Sequence, residues 1–126
     1  MKETIVLFNI PVREKRLKIG KALLPLGIAV KAADKKDYLQ SIGYLAGYKD
    51  MSGIKDIYDG SELEGEMIVM AGLSGAKMET VLTALKKAGV QKTCLKAVLT
   101  DTNRFWTAPE LYEELIKEYN KMNEQP

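Results

Sequence analysis

The sequence predicts an α/β fold, a small four-stranded, mainly parallel sheet in the order 2-1-3-4 built from two βαβα repeats. Three observations carry this expectation. Apolar β-branched runs alternate with stretches of helical periodicity, in the order strand, helix, strand, helix, twice over. The first and third runs, Ile5-Val6-Leu7-Phe8 and Met67-Ile68-Val69-Met70, are continuously apolar, which suits strands buried on both faces. The second and fourth carry Lys31, Lys92 and Lys96, which suits sheet edges. Helix crossovers between such strands favour parallel pairing. The alternative is a ferredoxin-like α+β sandwich, reached if the long polar stretch before the third strand lets that strand reverse direction.

Taken in order, Thr4 to Ile10 is the first strand, and Pro11 breaks it ahead of a helix through Leu17, Ala22, Leu23 and Leu24 that stops near Pro25. Gly27 turns the chain into a second strand, Ile28 to Ala33, followed by a short helix over Tyr38 to Tyr48 that Gly43 and Gly47 weaken. Lys49 to Gly65 has turn chemistry and no periodic apolar face, so it reads as a linker or surface excursion. A third strand begins at Glu66. Ser74 then caps a helix through Met78, Val81, Leu82 and Leu85, which Gly89 ends. Lys92 to Leu99 is the fourth strand. The last helix opens at Thr107-Ala108-Pro109-Glu110, where the threonine and the glutamate three positions on satisfy each other's exposed amides. The chain therefore divides as one domain, 1–126, with a first half 1–48, an excursion 49–65 and a second half 66–126. At a constant shift, Ile5 to Phe8 meets Met67 to Met70, while Lys15, Ala22, Leu23 and Gly27 meet Lys77, Ala84, Leu85 and Gly89.

Composition closes several chemistries. There is no histidine, so neither a Ser-His-Asp nor a Cys-His nucleophile can be assembled within the chain. Cys94 is the single cysteine, which excludes an intrachain disulfide, a CxxC redox pair and a Cys/His zinc site, and its apolar context reads as a small buried hydrophobe. A net charge of +2 from 19 basic and 17 acidic side chains gives no global field for nucleic acid. Ile5 to Phe8 is too short for a signal or membrane span, which leads to the expectation of a soluble, cytoplasmic protein. Gly72-Leu73-Ser74-Gly75 lacks the spacing of a phosphate loop and reads as a turn with an N-cap. No catalytic set, metal site or cofactor is expected.

The richest candidate site is Thr100 to Thr107, which gathers the only tryptophan, an arginine, an asparagine and several threonines after a strand. In a parallel layout it shares a rim with Asp34 to Tyr38, because ligands bind where loops leave the carboxyl ends of strands. The candidate ligand-binding residues are Asp34, Tyr38, Thr100, Thr102, Asn103, Arg104 and Trp106. Asn103 with Thr100 or Thr102 would orient a ligand, Arg104 would hold an anion, and Trp106 would supply an apolar wall. The structural alternative is that the polar groups satisfy turn amides while Phe105 and Trp106 seal the last helix onto the core.

The chain resembles a small uncharacterised bacterial family, one of the domains of unknown function, found mainly in anaerobic Gram-positive species. The likeness runs over nearly the whole chain and rests on Leu24-Pro25-Leu26-Gly27-Ile28, on Tyr38 with Leu45-Ala46-Gly47, and on Lys96-Ala97-Val98-Leu99-Thr100 leading into Thr102-Asn103 and Trp106-Thr107. A common form of the last motif has proline where this chain has Asp101. The resemblance implies a bacterial cytoplasmic protein and carries over no catalytic residue.

Three functions compete. The leading one is a non-enzymatic domain that binds a small molecule or a protein partner, with no nucleic acid and no membrane involved. The second is an enzyme using Asp or Lys acid-base chemistry on an anionic metabolite, with Arg104 as anchor and Asp34 or Asp101 as base. The third is structural self-association as a homo-oligomer through an edge strand or the Tyr112, Leu115 and Tyr119 face of the last helix.

Overall fold

Two strands made wholly of buried residues form the centre of the molecule: β1, Thr4–Phe8, and β3, Met67–Ala71. They are flanked by β2, Ala29–Ala33, and β4, Leu95–Val98, which are partly exposed, giving the sheet order β2-β1-β3-β4. The continuous apolar runs are thus central and the lysine-bearing runs are edges. The computed structural model describes residues 2–124. Four helices accompany the strands: α1, Arg13–Leu23; α2, Ile42–Ala46; α3, Gly75–Lys87; and α4, Ala108–Glu124. Of these, α1 and α3 cover one face through Ile19, Leu23, Val81 and Leu85, packed on Ile5, Leu7, Ile68 and Met70. On the other face α2 and α4 bring Ile42, Ala46, Ala108 and Leu111 onto Val6, Phe8, Met67 and Val69. The result is a three-layered α/β fold.

The direction of β3 is the main departure from an all-parallel sheet. β1 pairs in parallel with β2, and β3 with β4, but β1 and β3 run antiparallel, with Val6 opposite Val69 and Phe8 opposite Met67. The cause lies in residues 47–66, which contain no helix or strand and cross the α2 face back to the carboxyl ends of β1 and β2. Several ties hold this strap down, three of them to its backbone. Gln40 clasps the Ile54 backbone with both ends of its amide (2.7 and 2.8 Å), Tyr58 N–H donates to the Lys36 carbonyl (3.0 Å), and the Asn9 amide donates to the carbonyls of Leu63 and Gly65. Leu63 is buried with the core. Having spent one sheet length on the strap, the chain enters β3 beside Phe8 and must run the opposite way.

The two βαβα units are therefore related by a pseudo-twofold axis through the sheet between β1 and β3. Reciprocal ion pairs mark it: Lys15 of α1 meets Glu66 beside β3 (2.7 Å), and Lys77 of α3 meets Glu3 beside β1 (3.4 Å). Both pairs are partly exposed, so each contributes less than about 1 kcal/mol. The constant shift read from the sequence needs one correction. In space Thr4 corresponds to Met67 and Phe8 to Ala71, whereas Leu23 still corresponds to Leu85 and Gly27 to Gly89. Setting Ile5 on Met67 would put an α1-facing residue on an α4-facing one, since a single-residue slip exchanges sheet faces. A β3–α3 loop shorter by one residue than the β1–α1 loop absorbs the difference, and both loops begin at a residue with positive φ, Asn9 (58°) and Gly72 (76°).

Local signals work as expected at the helix starts. Ser74 Oγ accepts from Lys77 N–H (3.2 Å), and Thr107 N–H donates to Glu110 Oε1 (3.0 Å). The second helix is shorter than the sequence suggests: Lys35–Asp37 forms a single 3-10 turn, and α2 spans only Ile42–Ala46 before Gly47 (φ 102°) turns the chain. Cys94 is buried, and burial pushes its thiol from 9.0 up to about 11. A thiol pKa raised by folding contributes stability that is complete below the unfolded value and is lost as pH rises through the folded one. Native protein at pH 8 is accordingly expected to resist iodoacetamide at Cys94, while urea-unfolded protein is alkylated; equal rates in the two states would contradict this burial.

Candidate functional site

The turn that ends β4 is built from its own polar groups. Thr100 Oγ1 accepts from the N–H groups of Thr102 (3.3 Å) and Asn103 (3.1 Å), and Asn103 Oδ1 accepts from Thr100 N–H (2.8 Å) while Asn103 Nδ2 donates to the Val98 carbonyl (3.0 Å). The register shows what this amide does. Leu95 N–H donates to Glu66 and Leu99 N–H to Met70, so alternate residues of β4 bond inward to β3, and Lys96, Val98 and Thr100 point their backbone outward. The Asn103 side chain fills the outward positions of Val98 and Thr100 as a neighbouring strand would. The Lys96 ammonium covers the carbonyls of Cys94 (3.0 Å) and Gln91 (3.4 Å). The outward groups at both ends of this edge strand are thereby capped.

Asn103→Ala is expected to cost about 1–2 kcal/mol, since it leaves an outward N–H and C=O of β4 without their partner. Urea denaturation measures this, and a cost near zero would mean that water replaces the amide fully.

Thr100, Thr102, Asn103 and Trp106 do line one cavity, about 320 Å³, with Leu111, Leu115 and Glu118 of α4 on its far wall. Arg104 is occupied elsewhere. Its guanidinium pairs with Asp50 (3.0 Å) and lies over the rings of Phe105 (4.7 Å) and Tyr48 (5.3 Å), with Nε buried and unpartnered. Asp34 and Tyr38 do not join this group. Because β1 and β3 are antiparallel, the carboxyl end of β2 lies at the opposite end of the sheet from that of β4, and on the opposite edge strand. The shared rim expected from a parallel sheet is therefore corrected by the strap that reverses β3. Asp34 is exposed beside a separate cavity of about 330 Å³ lined by Asn9, Arg16, Lys35 and Glu62. Tyr38 is fully buried, and its hydroxyl donates to Glu62 Oε1 (2.6 Å). Asp34 and Asp101, the two proposed bases, are both exposed and stand at opposite ends of the sheet, so the structure gives them no common cleft. Among the described residues no three carboxylate or thiol groups gather to hold a metal.

A surface that the sequence reading missed lies along β2. Leu17 and Leu24 belong with Leu23 to the apolar pattern that marks the first helix, yet they are 50% and 75% exposed. Ile19 and Leu23 form the buried stripe of α1, while Arg13, Leu17, Gly20 and Leu24, spaced by four, three and four residues, form a second stripe turned toward the β2 edge. Between that stripe and β2 runs a groove of about 460 Å³, floored by Leu7, Val30 and Ala32 and rimmed by Arg13, Arg16 and Lys21. Ala29 N–H donates to Glu3, so Ala29, Lys31 and Ala33 bond inward to β1, and the backbone groups of Val30 and Ala32 point outward. Among the described residues nothing caps them as Asn103 caps β4. The available signal was the i, i+7 spacing of Leu17 and Leu24, out of phase with Ile19 and Leu23.

Together these features define a small α/β domain of two βαβα units, with one edge strand capped at its ends and the other uncapped among the described residues. A Domain of unknown function (DUF3783) is found at residues 66–122. That interval is the second βαβα unit, including the Lys96 to Thr107 motif; the motifs at Leu24 to Ile28 and Tyr38 to Gly47 lie outside it. Neither a curated protein nor a solved structure matches the chain. No helix is long and apolar enough to cross a membrane among the described residues.

Proposed function

We propose that the protein is a non-enzymatic interaction domain whose contact surface is the open edge of β2 and the groove beside α1. The observation that supports this most directly is the difference between the two edges. β4 is capped at its ends by an asparagine amide and a lysine, whereas β2 presents Val30 and Ala32 uncapped beside exposed leucines. An unpaired strand next to an apolar trough is the geometry by which folded domains take up an extended segment. The setting we favour is the bacterial cytoplasm, supported by the family likeness and by a lone buried cysteine, which calls for no oxidising compartment.

A library of displayed random peptides tests the reading. Selection on wild-type protein is expected to enrich sequences that bind it but not Ala32→Pro or Leu17→Glu. The proline removes an outward N–H and no bond of the sheet, and Leu17 is half exposed, so both variants are expected to keep the wild-type circular dichroism spectrum. No enrichment, or enrichment indifferent to both substitutions, would remove the proposal.

The small-molecule form of the same idea rests on the cavity beside Trp106, with the candidate residues Thr100, Thr102, Asn103 and Trp106. It ranks second because the polar groups there are already engaged with one another. Asp34, Tyr38 and Arg104 fall outside that site. Titrating Trp106 fluorescence with a metabolite set tests it: a saturable change supports a ligand, and a flat response across the set removes it.

A further inference from the structure

Resting on the interaction-domain reading, we infer that the occupant of the β2 groove is an extended peptide segment of alternating apolar and acidic residues, added to the sheet as a fifth strand. Three observations name that chemistry. The first is the edge itself, where the outward N–H and C=O groups of Val30 and Ala32 ask for a backbone in extended conformation.

The second is Gly20. It lies inside α1, where glycine costs about 1 kcal/mol relative to alanine. Nothing in the fold requires it, because a Cβ built there meets no atom within 4 Å and its backbone is ordinary helix. Gly20 lines the groove midway between Leu17 and Leu24. A missing side chain in open space at the centre of an apolar trough admits something from outside to the helix backbone. Side chains on one face of an added strand would enter there, against Leu17, Leu24 and Leu7, and must be apolar.

Charge is the third. Arg13, Arg16 and Lys21 rim the groove and no acidic residue lines it. Arg16 donates to the carbonyls of Ile10 and Pro11, whereas Arg13 and Lys21 have no carboxylate partner among the described residues. Lys31 projects from β2 on the opposite face, level with Val6, where the other side chains of an added strand would lie; its ammonium donates to the Ala46 carbonyl (3.4 Å) and has no carboxylate partner among the described residues. Acidic residues suit those positions. The nearby carboxylates include Glu14, exposed on α1, Asp34, just beyond the strand, and Glu62, which is engaged with Tyr38 and the Leu63 N–H. A second copy of the chain suits the edge poorly, because pairing β2 with itself would set two copies of Arg13, Lys21 and Lys31 against each other.

The test uses a fluorescein-labelled octapeptide alternating valine and glutamate, its counterpart alternating valine and lysine, and a single-stranded DNA oligonucleotide, each titrated by fluorescence anisotropy. The glutamate peptide is expected to bind at least about tenfold more tightly than the lysine peptide. Gly20→Ala is expected to raise the melting temperature while weakening the glutamate peptide at least about tenfold, a split that a purely structural glycine would not give. The charge reversal K31E, at the exposed lysine on the face where the glutamates would lie, should abolish the preference for glutamate. If the lysine peptide binds as well or better and Ala32→Pro still blocks it, the acidic assignment falls and the interaction domain stands. If neither peptide binds and light scattering finds a dimer that Ala32→Pro dissolves, the occupant is a second copy and the inference is wrong. Stronger binding of the oligonucleotide than of either peptide also overturns it, and a monomer that binds no probe removes inference and reading together.

Discussion

Tyr38→Ala is expected to lower the unfolding free energy by about 4 kcal/mol, the range measured for removing a buried aromatic ring. For a chain of this length that corresponds to a fall in melting temperature on the order of 15 °C. The ring has no exposed surface and packs against Phe8 (centroids 6.0 Å apart) and Tyr58 (5.6 Å), joining β1 to the strap. Its hydroxyl reaches Glu62, which also accepts from Leu63 N–H (2.8 Å), so one carboxylate fixes both the tyrosine and the buried leucine that follows it. Burial first, then the bond to Glu62, raises the phenol above its ordinary value of 10.0. The contribution is therefore complete below pH 10 and is lost in stronger alkali as the phenol ionises. Tyr38→Phe keeps the packing and should cost about 1 kcal/mol. Urea denaturation of the two variants separates ring from hydroxyl. Nearly equal losses would mean that the hydroxyl, not the ring, holds the strap.

The parts of this fold legible in the sequence are those that local chemistry dictates. Apolar runs marked β1 and β3 as central because a strand buried on both faces has no polar position to show. Ser74 and Thr107 announced their helices because an N-cap acts within three residues. What was not legible depends on where segments travel. Lys49 to Gly65 is short of apolar residues, yet Leu63 and Tyr58 anchor it, and its path sets the direction of β3. That one reversal separates Asp34 from Asn103. The turn is legible as a polar cluster, but whether such groups face a ligand or each other is decided by backbone geometry. Asn103 spends both ends of its amide on β4.

The open edge was missed for a related reason. Hydrophobic periodicity assigns leucines to one stripe, and α1 has two, one for the sheet and one for the groove. Asymmetry between otherwise equivalent units is informative here. Both units have an edge strand, a crossover helix and a lysine on the strand, but only β4 has the asparagine turn. Both edges carry a lysine, but the turn that satisfies outward backbone groups is present on one side only.

Gly43→Val is the second large effect, about 3 kcal/mol, and its origin is overpacking rather than lost burial. α2 and the turn after β4 approach each other closely: Ile42 N–H donates to the Trp106 carbonyl (2.9 Å), a backbone bond that ties the two segments together. A Cβ on Gly43 would stand 2.9 Å from the Arg104 carbonyl oxygen, 3.1 Å from the Tyr48 ring, and in contact with Met51 Sδ. The thioether can swing aside at little cost. The carbonyl belongs to the 3-10 turn Asn103–Phe105, which Thr100 and Asn103 fix from one side and the Arg104–Asp50 pair from the other, so it cannot. Valine must therefore push α2 off the turn and break the Ile42–Trp106 bond. Gly43→Ala should do the same more mildly, at about 2 kcal/mol. The loss is expected to appear with faster hydrogen exchange at Ile42 and no change at Ile19 or Val81, because α1 and α3 lie on the opposite face of the sheet from the disturbed contact. If alanine and valine are both tolerated within about 0.5 kcal/mol, the approach of α2 to this turn is looser than the geometry states, and Gly43 serves some other purpose.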